Sequence, residues 1–172
     1  MIYSTEYESP LGSITVASDG SNTVGLWIEG QKYYGGVYGE KMEKCSNSPI
    51  FSDAEKWLDK YFSGENPRIC DLPLAPEGGE FRQTVWKILC EIPYGQTVTY
   101  GDIAKRVSKD AGVTAMSARA VGGAVGHNPI SIIIPCHRVV GADGSLTGYS
   151  GGIDAKMRLL EHEGTDMSGL HL

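Results

Sequence analysis

The sequence predicts a chain of two parts. Residues 1–63 read as an α/β domain, a small antiparallel sheet with one covering helix. Residues 80–172 read as a mostly α domain with a helix-turn-helix and an active-site Cys segment. Three observations carry this: short alternating runs near the N-terminus, apolar faces of helical period after residue 80, and a Pro- and Gly-rich stretch between them. With 172 residues and 41% hydrophobic content, the chain can bury a real core.

Ile2 to Tyr7, Ile14 to Ala17 and Val24 to Ile28 are the strand candidates. The turn signals Pro10-Leu11-Gly12 and Asp19-Gly20-Ser21-Asn22 separate them, which makes the sheet antiparallel. Residues 31–50 are rich in Gly and Tyr and show no period. Ala54, Trp57, Leu58 and Tyr61 then share one face of a helix from Asp53 to Phe62, stopped by Gly64. No cluster of reactive side chains occurs here, so residues 1–63 are expected to support the rest. Pro67, Pro73, Pro76 and a Gly-Gly pair mark residues 64–79 as a connector crossing the surface.

The second domain opens with Phe81, Val85, Ile88 and Leu89 on one helical face, ended by Pro93-Tyr94-Gly95. Thr99-Tyr100-Gly101-Asp102 fits a capping box, in which a threonine hydroxyl and an acid three residues on satisfy the first free amides of a helix. Ile103, Ala104 and Val107 then point inward. After Asp110-Ala111-Gly112, Ser117 leads into a second helix of very small residues, giving the helix-turn-helix. Gly122 and Gly123 each cost about 1 kcal/mol there relative to Ala. Either another backbone or nucleic acid lies close, or the helix packs tightly with Arg119 solvated. Asp154 is expected to cap a final helix ending at His162-Glu163-Gly164, with residues 165–172 loose.

Ile134-Pro135-Cys136-His137-Arg138-Val139 places a nucleophile, a base and a cation in consecutive positions. A free thiol, with a pKa of about 8.5, needs such neighbours to react at neutral pH. The apolar run from Ile130 to Ile134 reads as a buried strand or extended segment leading to the floor of a pocket. The plainer reading makes Cys136 a small core residue. Cys45, Cys70, Cys90 and Cys136 form no CxxC pair, and all four histidines lie in the C-terminal third, so neither a disulfide framework, a metal nor a cofactor is expected. With no signal-like N-terminus and no apolar run of about 18 residues, a cytoplasmic protein outside the membrane is expected. The net charge is −6, but residues 95–140 hold 5 basic against 2 acidic groups, a patch that suits few phosphate contacts and a shallow salt dependence.

Together, Thr99-Tyr100-Gly101, Ser117 through Ala124, Asn128-Pro129, Ile134 through Val139, Gly148 through Gly152 and His162-Glu163-Gly164 resemble the methylated-DNA-protein-cysteine methyltransferases, also called 6-O-alkylguanine-DNA alkyltransferases. The resemblance runs over roughly residues 80–164. It implies direct reversal of damage: an alkyl group passes from oxygen-6 of guanine, or from oxygen-4 of thymine, to Cys136 in a single turnover, since the thioether formed has no good leaving group. The partner implied is double-stranded DNA, entered from the minor groove with little sequence preference by a monomer, the damaged nucleotide being flipped out.

The same resemblance implies roles for single residues. His137 would act as base through a water, oriented by Glu163, and Tyr100 would protonate the departing guanine. Asn128 would brace the turn before the active-site segment. The Cys136 and Val139 carbonyls, Tyr149 and the Ser150 amide would read the base. Arg119 would fill the vacated stack, with Ser117, Gly122, Gly123 and Arg138 completing the DNA-facing set. Two alternatives stay open: a lesion sensor whose Cys136 does not react, and a cysteine hydrolase, which lacks an evident oxyanion hole.

Overall fold

The computed structural model describes residues 1–113 and 116–172, which divide into two compact units. The first comprises residues 1–77 with 129–133; the second comprises 78–128 with 134–172.

In the first unit, β1 (Ile2–Ser9), β2 (Gly12–Ser18) and β3 (Thr23–Ile28) form an antiparallel meander. A fourth strand, β4 (Met42–Lys44), pairs parallel with β1, giving the order β3-β2-β1-β4. The sheet is therefore mixed, not wholly antiparallel. β4 lies in the stretch without period because main-chain pairing to Ile2, Tyr3 and Ser4 defines it, and its side chains are largely exposed. Helix α1 (Pro49–Phe62) buries Phe51, Ala54, Trp57, Leu58 and Tyr61. It begins earlier than the apolar face suggests because Pro49, with no amide hydrogen to lose, suits the first turn.

Residues 64–77, expected as a connector, are bound to this unit. The Trp57 indole donates to Arg68 O at 2.9 Å, and Thr23 exchanges main-chain bonds with Pro73 and Ala75. The run from Ile130 to Ile134 is buried, as expected, but it is no strand. It makes a single bridge, Leu26 to Ile130, and then turns through Ile132 at φ +70°.

The second unit contains α2 (Glu80–Leu89), β5 (Val98–Thr99), α3 (Tyr100–Ala111), α4 (Ala118–Gly126), β6 (Val139–Val140) and α5 (Ile153–His162). The capping box is present: Asp102 N donates to Thr99 Oγ1 and Thr99 N to the Asp102 carboxylate, each at 3.0 Å. Helices α3 and α4 form the predicted helix-turn-helix pair; Thr114 and Ala115 in its turn lie outside the described residues. Trp86 Nε1 donates to Ala124 O at 2.9 Å, fixing α2 against α4. Asp154 does not cap α5; Gly152 holds that position and Asp154 sits in the first turn. Among the described residues no helix is long and apolar enough to cross a membrane.

Candidate active site

Five elements of the second unit bring the reactive side chains together. Cys136, His137 and Arg138 form one 3-10 turn, all three buried, and the chain passes directly from it into β6. β6 pairs parallel with β5, Val98 opposite Val139 and Thr99 opposite Val140. The first residue of α3, Tyr100, therefore emerges beside the end of the cysteine turn. The residue after α5 is Glu163.

Asn128 Nδ2 donates to Ile134 O at 2.9 Å and lies 3.1 Å from Cys136 Sγ. One amide thus braces the approach to the cysteine and touches its sulfur. Burial pushes the Cys136 thiol up, while the Asn128 donor and the Lys156 cation pull against that rise. At rest the group is a thiol, so a base is needed to activate it.

His137 Nε2 lies 2.7 Å from Glu163 Oε1. Arg138 grips the same carboxylate with Nε to Oε2 and Nη2 to Oε1, each at 2.9 Å, and spends Nη1 on Ile92 O at 2.7 Å. Burial pushes Glu163 up, but the bonds to His137 and Arg138 outweigh it and hold the carboxyl well below its usual range. Burial holds His137 below its ordinary value against the pull of Glu163. The consistent state is an anionic Glu163 accepting from Nε2–H of a neutral imidazole, which leaves the Nδ1 lone pair as a base. Nδ1 is buried and has no hydrogen-bond partner among the described residues.

Burial and the nearby Cys136 raise the Tyr100 hydroxyl, which keeps its proton at neutral pH. It lies 3.5 Å from Thr147 O. At Gly148, with φ +94°, a side chain would come within 3.1 Å of that hydroxyl, so the close approach requires glycine. Tyr149 is buried, and Ser150 Oγ is buried with no hydrogen-bond partner among the described residues.

On α4, Arg119 is exposed, and Ser117 Oγ caps the helix by accepting from the amides of Arg119 and Ala120. Among the described residues, a methyl at Gly122 would meet only Tyr100 Cδ1, at 3.9 Å, and one at Gly123 nothing within 4 Å. The two glycines do not serve tight packing within this unit. Arg138 differs from the sequence reading: it is only 6% exposed, and its guanidinium is turned inward onto Glu163 and Ile92 O.

Sequence reasoning missed Lys156. It is fully buried on α5, donates to Val139 O and lies close enough to Cys136 for each to perturb the other; burial pulls its ammonium down to about 8. The available signal was its spacing, three and four residues before Leu159 and Leu160 on the buried stripe.

A buried thiol, a neutral imidazole held by a carboxylate and a helix-turn-helix in one unit define a DNA-binding protein with a cysteine nucleophile. Comparison with known proteins narrows this. Residues 80–165 match the family described as 6-O-methylguanine DNA methyltransferase, DNA binding domain, and residues 2–76 match its ribonuclease-like domain. A methylated-DNA-protein-cysteine methyltransferase of Haemophilus influenzae is 43% identical over 162 residues, covering 94% of this chain and 86% of the relative. One of Methanosarcina acetivorans is 44% identical over 169 residues, 95% of this chain and 99% of the relative. The crystal structure of Mycobacterium tuberculosis OGT in complex with DNA superposes with a TM-score of 0.81 at 42% identity, covering 94% of this chain and 92% of that one. The chain belongs to the methylated-DNA-protein-cysteine methyltransferase family.

Proposed function

We propose that this protein reverses alkylation of guanine at oxygen-6 in double-stranded DNA by moving the alkyl group to Cys136, once per molecule. The observation that carries the reading is the neutral His137, pinned at Nε2 by Glu163 and bare at Nδ1, next to a buried thiol. The Cys136 proton passes to His137 Nδ1 through a bridging water. The sulfur then attacks the alkyl carbon, a C–S bond forms and the carbon–oxygen bond to guanine breaks. Tyr100 gives its proton to the guanine ring, so the base need not leave as an anion. Thymine alkylated at oxygen-4 would react in the same way.

The Val139 carbonyl holds the Lys156 ammonium with one lone pair and has a second for the guanine amine. The Cys136 carbonyl, Tyr149 and the Ser150 amide complete the reading of the base, while Asn128 keeps the approach to the thiol in place. The nucleotide is flipped out of the minor groove, Arg119 fills the gap, and the bare surface at Gly122 and Gly123 lies against the strand. Ser117 serves by capping α4, and Arg138 acts through Glu163. The first unit supports this domain, and the protein works as a monomer in the cytoplasm.

The test is intact-protein and peptide mass after mixing with a duplex holding one 6-O-methylguanine. One methyl on the Cys136 peptide, stopping at one per protein, is expected, and Cys136→Ala should bind the duplex without any gain. Binding with no mass change in the unaltered protein would favour a lesion sensor, and sustained turnover would favour a hydrolase.

A further inference from the structure

Residues 165–172 carry no helical period, yet they are anchored along their length. His171 N donates to Gly144 O at 3.1 Å and Leu146 N to His171 O at 2.9 Å, a parallel bridge between the tail and the turn after β6. The tail passes so close that a side chain at Gly144 would collide with Gly169 O. Met167 and Leu170 pack on Val140, Leu146 and Leu160, together with Ile153 and Met157. The His171 ring faces two carbonyls, Nε2 on Asp143 O and Nδ1 on Leu172 O, each at 3.0 Å, with the Asp143 carboxylate 3.8 Å from Nε2. A neutral ring donates to one of these oxygens and the imidazolium to both.

The loop from Thr147 to Gly152 lies between two of these anchored residues. Leu146, just before it, donates its amide to His171 O; Ile153, just after it, sits in the cluster that Met167 and Leu170 cover. Within the loop, Thr147 O meets the Tyr100 hydroxyl, and Ser145 Oγ holds Thr147 Oγ1 at 2.9 Å. We propose that residues 166–171 are a strap that positions the substrate loop 147–152 and the Tyr100 hydroxyl, with His171 as its fastening. This rests on the alkyl-transfer reading above. His171 touches no reacting atom; it fastens the tail at the foot before the loop, while Met167 and Leu170 cover the foot after it.

Two measurements on the full chain test it: hydrogen exchange of the 147–152 amides, and single-turnover methyl transfer from a saturating 6-O-methylguanine duplex. His171→Ala and Leu170→Ala should speed loop exchange by about tenfold and slow transfer by about tenfold, because small misplacements of reacting groups are costly in rate. Duplex affinity should be unchanged. His171→Arg, which keeps a charge and several N–H donors, should restore both. Unaltered exchange in both weakened variants, or faster exchange with an unaltered transfer rate, overturns the proposal. If the unaltered protein transfers no methyl, the alkyl-transfer reading falls, and loop exchange still decides whether the strap holds the loop.

Discussion

At the scale of single residues, one carboxylate sets the protonation of the site. Glu163 follows the last turn of α5, where the helix dipole opposes an anion, and its burial opposes ionisation further. Two bonds from Arg138 and one from His137 reverse both effects. Glu163→Gln keeps the shape and removes the charge. It frees His137 to adopt the wrong tautomer and leaves the Arg138 guanidinium buried without its counter-ion, a loss of about 3–5 kcal/mol for a broken buried pair. Methyl transfer in single-turnover kinetics should fall on the order of 100-fold, with thermal stability reduced as well. Arg138→Met combined with Glu163→Gln should recover stability without recovering rate, because it removes the stranded charge and leaves His137 unoriented. A Glu163→Gln protein that transfers at full rate would remove His137 from the reaction.

At the scale of elements, what was legible in the sequence was local. The Thr99 capping box, the helix faces around Val85 and Ile103, and the Pro-Cys-His-Arg-Val stretch depend on neighbours a few residues apart. The missed features depend on distant ones. β4 exists because β1 offers an unpaired edge, the 130–134 run is turned by Ile132, and the tail is ordered by Gly144 and Leu146. Lys156 is buried although its type predicts solvent, and the Val139 carbonyl to which it donates is what reconciles it to that place. The recognition helix offers a test of which force chose its composition. Among the described residues a methyl at Gly123 would meet nothing within 4 Å, so Gly123→Ala should stabilise α4 by about 0.5–1 kcal/mol in denaturant unfolding. If the bare surface serves DNA, the same change should weaken duplex binding in a titration. A variant that is more stable and binds unchanged would show that the glycine is not there for the strand.

At the scale of the whole molecule, the buried site should make the fold sensitive to acid in two stages. Burial lowers His137 from its ordinary 6.5, so below that pH the unfolded chain takes up a proton that the folded protein resists, and stability is lost as pH falls. Glu163 is lowered from 4.5, so its contribution is complete above that value and is lost as pH falls toward its folded pKa. Asp19, Asp102 and Asp166, lowered from 3.8 chiefly by backbone amides, add to the second stage. His171 acts in the opposite sense: its pKa is raised, so its contribution is present in acid and lost as pH rises, but the group is exposed and solvent screening keeps it small. The net expectation is a melting temperature that begins to fall near pH 6.5 and falls more steeply below 4.5. Scanning calorimetry from pH 8 to 3 measures it directly. The His137→Gln protein should lose the first stage, since it has no imidazole to protonate in the unfolded chain. An unaltered first stage in that variant would mean that folding does not lower the His137 pKa, and a deeper one that the imidazole is charged at neutral pH, with the Nδ1 base lost.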